Sequence, residues 1–365
     1  MAIKHRRLLV ICPHPIGYAP GQRLKYEQYF DDWRKEGYDI TVAPFMSERL
    51  QQIVYREGHF ALKIIETLGA YCRRWLLLFR LHRYDLVYCF LWVTPFGTTL
   101  FERLYCRCAK NMVYDIDDLV YTKNQATPWY IRWFKGYSKP VYLIRHARHV
   151  ITCTPYLDQF ARQYNPHTTD ISSTVDTDTR YIPINRYQNT DNIVIGWSGS
   201  HSTVPHLLTI ANVLRRIQQK YPQVIIRVMG TIQPLDLPDL RIDSRPWSED
   251  WEISTLQTYD IGIYPLPDEP WVYGKSGLKA IQYMALGIPT VATAIGTNFR
   301  VIDDGVSGFL VHTDEEWIQR LSELIENPPL RRKIGEKARQ KVVAEFSIAA
   351  NRSRYSTVLA EAMKE

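Results

Sequence analysis

Residues 264–293 read YPLPDEPWVYGKSGLKAIQYMALGIPTVAT. The run predicts the end of a strand, a Pro-rich loop, Gly274-Lys275-Ser276-Gly277, a helix, Gly287-Ile288-Pro289 and a second strand. A strand–helix–strand unit with glycine just past the helix is the building block of a parallel sheet. The amides of Ser276, Gly277 and Leu278 are expected to open the helix. With the positive end of its dipole they form an anion site suited to a diphosphate, and Gly277 lets the backbone come close. At about 100° per residue, Lys275, Lys279 and Gln282 share one face. Leu278, Ile281 and Ala285 take the other, which would pack on the sheet. A polar, twice-cationic face at a helix start suits a nucleotide; the solvated side of an ordinary amphipathic helix fits the same pattern. Gly-Lys-Ser lacks the spacing to an earlier glycine that a P-loop needs.

Working outward, strands and helices alternate along the whole chain. The apolar run 8–12 (LLVIC) leads into a loop with Pro13, Pro15, Gly17, Pro20 and Gly21, then a helix over about 23–35, Gly37 and the strand 38–42. Short apolar runs at 86–90, 111–114 and 149–152 suit a parallel sheet covered on both faces. A polar, linker-like stretch, 185–192 (NRYQNTDN), precedes a second series that starts at 193–197. It continues through a helix over 204–220 and strands at 224–229, 261–264 and 290–293. The expected architecture is α/β, with two Rossmann-like doubly wound sheets facing across a cleft. The expected divisions are an acceptor domain over 1–183, a donor domain over 184–346, and a segment over 347–365 crossing back to the first. Ligands of such sheets bind beyond the carboxyl ends of the strands, which is where the motifs fall.

The chain has 365 residues, enough for two domains with ample cores. At 45% hydrophobic and 23% charged it is neither disordered, collagenous nor a disulfide scaffold. No long uncharged apolar run predicts a membrane span. The basic opening MAIKHRRLLVICPHP has an apolar part too short for a secretory signal, so a cytoplasmic protein is expected. Six cysteines show no repeated CxxC pairing and read as reduced thiols rather than a zinc site. Residues 1–182 hold 25 Lys/Arg against 17 Asp/Glu, a net of +8, and 183–365 hold 20 against 21, a net of −1. The N-terminal half is therefore suited to an anionic partner or simply carries a basic, soluble face.

The stretch 264–293 resembles the nucleotide-sugar signature of retaining GT-B glycosyltransferases of the family 4 type. Gly277-Leu278, Met284-Ala285, Gly287 and Pro289 stand at the matching places. Supporting resemblances cover most of the chain: Tyr259-Asp260 before the loop, Asp304-Gly305 with Gly308-Phe309-Leu310, and Val175-Asp176 before the linker. The resemblance implies transfer of a hexosyl group from a UDP, GDP or ADP sugar to a glycan or lipid-linked saccharide. It implies retention, no cofactor and no metal, in polysaccharide biosynthesis. Implied donor contacts are Gly199, Ser200, His201, Lys275, Ser276, Gly277, Leu278, Lys279 and Gln282. Two signature glutamates are missing: one aligns with Gly274, the other, which holds the ribose hydroxyls, with Gln282. The Arg and Lys placed after the first donor-domain strand are missing too, and Lys275 and Lys279 are the candidates to replace their charge.

In the run 113–121 (VYDIDDLVY), three carboxylates beyond a strand repel one another unless a cation or proton donor visits. By resemblance, Asp117 and Asp118 align with a His-Asp pair and face the acceptor or the transferring sugar, with Lys275 as their catalytic companion. An Asp-x-Asp metal motif of another glycosyltransferase fold and a plain acidic cap are the rival readings. His14, Gly17 and Arg23, in the loop after the first strand, are the acceptor-side candidates, against a plain Gly/Pro turn with a surface arginine. Residues 60–83 interleave Leu, Ile, Phe and Trp with five cations. They read either as a helix lying on an anionic bilayer, making the protein peripheral on the inner face, or as one packed on the sheet with snorkelling cations. The alternative to an enzyme is a catalytically decayed nucleotide-sugar or glycan binder. A nucleic-acid binder would need a module that the sequence does not contain.

Overall fold

Leu8 to Cys12 are wholly buried and apolar, the composition of a strand covered on both faces. They lie in β1 (Arg6–Cys12), which pairs in parallel with β2 (Tyr38–Pro44) on one side and β3 (Leu86–Phe90) on the other. With β4 (Met112–Asp115), β5 (His149–Thr152) and β6 (Thr168–Asp170) these form one parallel sheet in the order β2-β1-β3-β4-β5-β6. A second parallel sheet runs β12-β11-β10-β7-β8-β9. Its strands are β7 (Ile193–Ser198), β8 (Val224–Met229), β9 (Ile242–Arg245), β10 (Ile261–Tyr264), β11 (Thr290–Thr293) and β12 (Phe309–Val311). The structure is a computed structural model; it describes residues 5–54, 56–119, 136, 138–184, 192–231 and 233–364. The polar run 185–192 lies outside the described residues apart from Asn192.

The contacts divide the chain into two units. One comprises 1–173, 274–276 and 351–365, the other 174–273 and 277–350. The strand order of each sheet reverses direction at one point, between β1 and β3 in the first and between β7 and β10 in the second. At such a switch point neighbouring loops part and open a crevice at the carboxyl edge. Both faces of the second sheet are packed. Tyr259, Tyr283 and Met284 lie on one side, and Val213, Ile217 and Trp317 with the inward residues of β7 and β10 on the other.

The expected helix over 23–35 is broken into Pro20–Arg23, a 3-10 turn at Glu27–Tyr29 and Phe30–Lys35. The break falls where Lys25 turns into the protein interior, 0% exposed. The helix expected over 204–220 is likewise two, Val204–Leu208 and Ala211–Lys220. Residues 351–365 pack in the first unit: the Tyr355 ring lies 4.5 Å from that of Tyr29, and its hydroxyl donates to the Lys25 carbonyl at 3.1 Å.

Candidate functional site

In the second unit, the carboxyl ends of β7 and β10 meet the start of the helix Leu278–Ala285. Tyr283 ties the two together, its hydroxyl accepting from the Ser198 amide at 2.7 Å and lying 2.8 Å from Ser198 Oγ. Just beyond β7, a Cβ on Gly199 would fall 2.3 Å from the Trp197 ring and 2.5 Å from Thr203 Oγ1. Ser200 and His201 follow in a short turn, with the Ser200 amide donating to Thr203 Oγ1 at 3.0 Å. Lys279 reaches the same hydroxyl, Nζ to Oγ1 3.3 Å, and lies 4.7 Å from the Trp197 ring centre. Its ammonium is thereby held beside the β7 loop.

Gly277 caps this helix at φ +77 and, having no side chain, makes no cap hydrogen bond to the first turn. A left-handed N-cap with Val301 Cγ2 2.9 Å from any added Cβ leaves room for glycine alone. Helix amides that no side chain caps are a natural seat for phosphate oxygens. Gly199, Ser200, Gly277, Leu278 and Lys279 therefore collect at one switch point. The expected common face of Lys275, Lys279 and Gln282 does not form, because the helix begins only at Leu278 and the left-handed residue before it breaks the phase. Gln282 is 6% exposed; its amide donates to the Tyr181 hydroxyl at 2.7 Å and to Glu252 Oε1 at 3.2 Å.

Residues 274–276 pack instead within the first unit. Lys275 Nζ lies 2.8 Å from Asp118 Oδ2, both side chains more than a third exposed. Ser276 Oγ is 3.0 Å from Ser173 Oγ. Gly274 explains one missing signature glutamate. A Cβ there would sit 2.9 Å from the Leu119 amide nitrogen and 2.7 Å from Leu119 Cγ. Gly274→Glu is therefore expected to cost about 1–3 kcal/mol of stability by overpacking rather than to restore a carboxylate; urea unfolding measures it, and Gly274→Ala should show most of the same loss.

Asp115, at the end of β4, is wholly buried and pairs with the wholly buried Lys25 at 2.9 Å, while the Tyr88 hydroxyl donates to its other oxygen. Lys25 also donates to the carbonyls of Thr152 and Ile171, at 3.3 and 3.1 Å. Burial opposes the Lys25 charge, but Asp115 and Asp117 hold its pKa above the ordinary lysine value. Asp117 lies 4.0 Å from Lys25, its Oδ1 buried with no hydrogen-bond partner among the described residues, and Cys153 also bonds its carboxyl. Burial pushes its carboxyl up to about 7; Lys25 pulls it down, and Asp115 and Asp118 add to the rise. A carboxyl with that value exchanges a proton near neutrality. The first loop closes on the same place, since a Cβ on Gly21 would lie 3.2 Å from Asp117 Oδ2.

In that loop, His14 Nδ1 is 2.7 Å from Gln51 Oε1, and Gly17, at φ +84, donates its amide to Glu27 Oε2 at 2.9 Å. Arg23 is 8% exposed, and its charge and that of His14 draw the Glu27 carboxyl down against the larger effect of burial, which leaves it raised. Asp115, read as one of three carboxylates beyond a strand, is the last residue of β4 and pairs with Lys25. Lys25, Glu27 and Glu252 are the charged groups that sequence reasoning missed. The only signal for them was polarity inside segments that otherwise read as helix or strand.

Structure comparison decides the architecture. Sucrose-phosphate synthase from Thermosynechococcus elongatus matches with a TM-score of 0.71 at 14% identity, over 98% of this chain and 99% of that one. Anabaena HepE in complex with UDP-glucose matches at 0.66 and 14% identity, over 98% and 100%. The fold is GT-B. Within this GT-B chain, residues 255–341 match the family described as Glycosyl transferases group 1. The D-inositol 3-phosphate glycosyltransferase of Corynebacterium aurimucosum is 32% identical over 113 residues, 30% of this chain and 25% of that protein. The first two curated relatives are matched over 40% and 25% of their own length. The matched family segment holds Gly277, Lys279 and Gln282 together.

Proposed function

We propose that the protein is a glycosyltransferase that takes a sugar from a nucleoside diphosphate and passes it, with retention and without a metal ion, to a glycan or lipid-linked saccharide. One observation carries the reading: an uncapped helix start, a glycine-walled loop and the Lys279 ammonium converge at the switch point of the second sheet. The match of residues 255–341 to a glycosyltransferase family and the UDP-glucose bound by HepE support it. The diphosphate sits on the Leu278 helix start with Gly199 and Ser200 opposite. Lys279 meets the charge that grows on it as the sugar leaves, which is the term that dominates such a transfer. His201 lies in the same loop. On the first unit, Asp117 and Asp118 with Lys275, and His14, Gly17 and Arg23, form the acceptor side. There Asp117, poised near neutrality, holds the attacking hydroxyl or the sugar. Incubation with a panel of nucleotide sugars and candidate acceptors tests the reading. Acceptor-dependent release of nucleoside diphosphate is expected. Tight donor binding with no release for any pair would favour a decayed binder.

Gln282 carries no charge, but Glu252 lies 3.2 Å from it in the same unit. Glu252 supplies the negative charge that a ribose diol meets in the family signature, with Gln282 as its neutral relay. Glu252→Gln is therefore expected to raise the donor KM about tenfold or more, the worth of a hydrogen bond to a charged group, with kcat little changed. Steady-state kinetics measure it, and an unchanged KM would assign Glu252 to packing alone.

A further inference from the structure

The helix Phe60–Leu78 turns a broad set of apolar residues to solvent. A surface helix ordinarily turns its apolar stripe to the core. Here the buried positions are Ala70 and the charged Arg74, whose guanidinium donates to the carbonyls of Val93, Ala43 and Cys12 at 2.9, 2.9 and 3.2 Å. Leu77 and Leu78 lean on the core, but a set of apolar residues faces outward: Phe60 is 75% exposed, Leu76 64%, Ile64 and Leu68 59%, and Trp75 46%; Phe79, just past the helix, is 63% exposed. At about 100° per residue these side chains fall within one arc of about 160° that no charged residue of the helix enters. The single acid of the helix, Glu66, is drawn to Ser47 and Arg49. The patch continues onto the loop after β3, where Tyr71 donates its hydroxyl to the carbonyl of Phe96, itself 42% exposed.

Cations rim this face. Arg73, Arg80 and Arg83 are exposed around its C-terminal half, and residues 1–182 carry a net +8, from 25 Lys/Arg against 17 Asp/Glu. No helix among the described residues is long and apolar enough to cross a membrane. An apolar arc with a basic rim, on a helix that does not span, is the pattern that lies in the interface of an anionic bilayer. We infer that the outer face of Phe60–Leu78 seats the first unit on an anionic lipid surface. The helix follows β2 and returns the chain to the start of β3. Its Phe60 end therefore lies toward the carboxyl edge of the first sheet, where the His14 and Asp117 loops are. If the transfer proposed above holds, a lipid-linked acceptor would arrive at that edge; the lipid contact itself does not rest on that reading.

Vesicle flotation without any sugar donor tests the contact. The protein is expected to float with phosphatidylglycerol/phosphatidylcholine vesicles and about tenfold less with phosphatidylcholine alone, the difference shrinking in high salt. Ile64→Asp with Leu68→Asp is expected to lower binding at least about tenfold, because the apolar insertion is lost. Its thermal midpoint should stay unchanged, since both side chains face water. No flotation with anionic vesicles would overturn the inference. So would a wild-type dimer that the double substitution dissolves while neither protein floats, for the face would then be covered by a second copy.

Discussion

Lys25→Met is expected to lose about 3–5 kcal/mol of folding free energy near neutral pH, the cost of removing one partner from a buried charge pair. Methionine matches the aliphatic stem, so the loss reports charge rather than a cavity. Without the ammonium, Asp115 keeps the Tyr88 hydroxyl as its partner among the described residues, and Asp117 loses the cation that offsets its burial. The loss should depend on pH in a defined direction. The Asp117 carboxyl titrates at about 7 in the fold, above its ordinary value, and Asp115 is also raised by burial against the pull of Lys25. A raised carboxyl contributes stability at low pH and loses it as the pH climbs through the folded value. Removing Lys25 raises both carboxyls further, so the penalty is largest above pH 7 and shrinks as the pH falls and the carboxyls take up protons. Urea unfolding at pH 5 and pH 8 measures the difference, and a penalty independent of pH would show that Lys25 acts through packing.

Lys279→Ala is expected to lower kcat/KM by about 10²–10³-fold, the loss seen when one preorganised group facing a developing charge is removed. The fall should appear in kcat as well as in the donor KM, because a leaving diphosphate carries more charge in the transition state than in the bound donor. Lys275→Ala is expected to change the donor KM less than tenfold. Its ammonium is spent on Asp118 in the first unit, while Lys279 lies beside Thr203 and Trp197 in the second. Equal losses at the two lysines would mean that both serve the phosphate. No loss at Lys279 would remove the charge on which the proposed donor site depends.

The helix at Leu278–Ala285 shows how far the sequence carries and where it stops. Its place, its glycine entry and its Gly287 exit were legible, because turn chemistry and apolar periodicity are local. Its face was not. The periodicity ran through Gly277 as though the helix began at Lys275, but the left-handed backbone there resets the direction of every earlier side chain. Lys275 consequently belongs with Asp118, and Gln282 with Tyr181 and Glu252. Glu252 was invisible for the same reason: it stands in the first turn of Glu249–Leu256, among other acids that read as ordinary helix-start residues. For the long helix in the first unit the sequence stops short in another way. Residues 60–83 had two open readings, and an inward Arg74 with an outward Leu68 is a choice that neither composition nor spacing fixes.

By itself the sequence determined the two parallel sheets, their alternation with helices and the loops that could carry chemistry. These follow from runs of buried apolar residues and from glycine and proline at fixed places, within reach of a few neighbours. Only the tertiary structure decided that Lys25 enters the interior to meet Asp115 and Asp117, that Gly274 excludes a side chain, and which lysine stands at the second switch point. Those depend on groups tens to more than a hundred residues apart, and on a competition between burial and charge that is settled only when they meet.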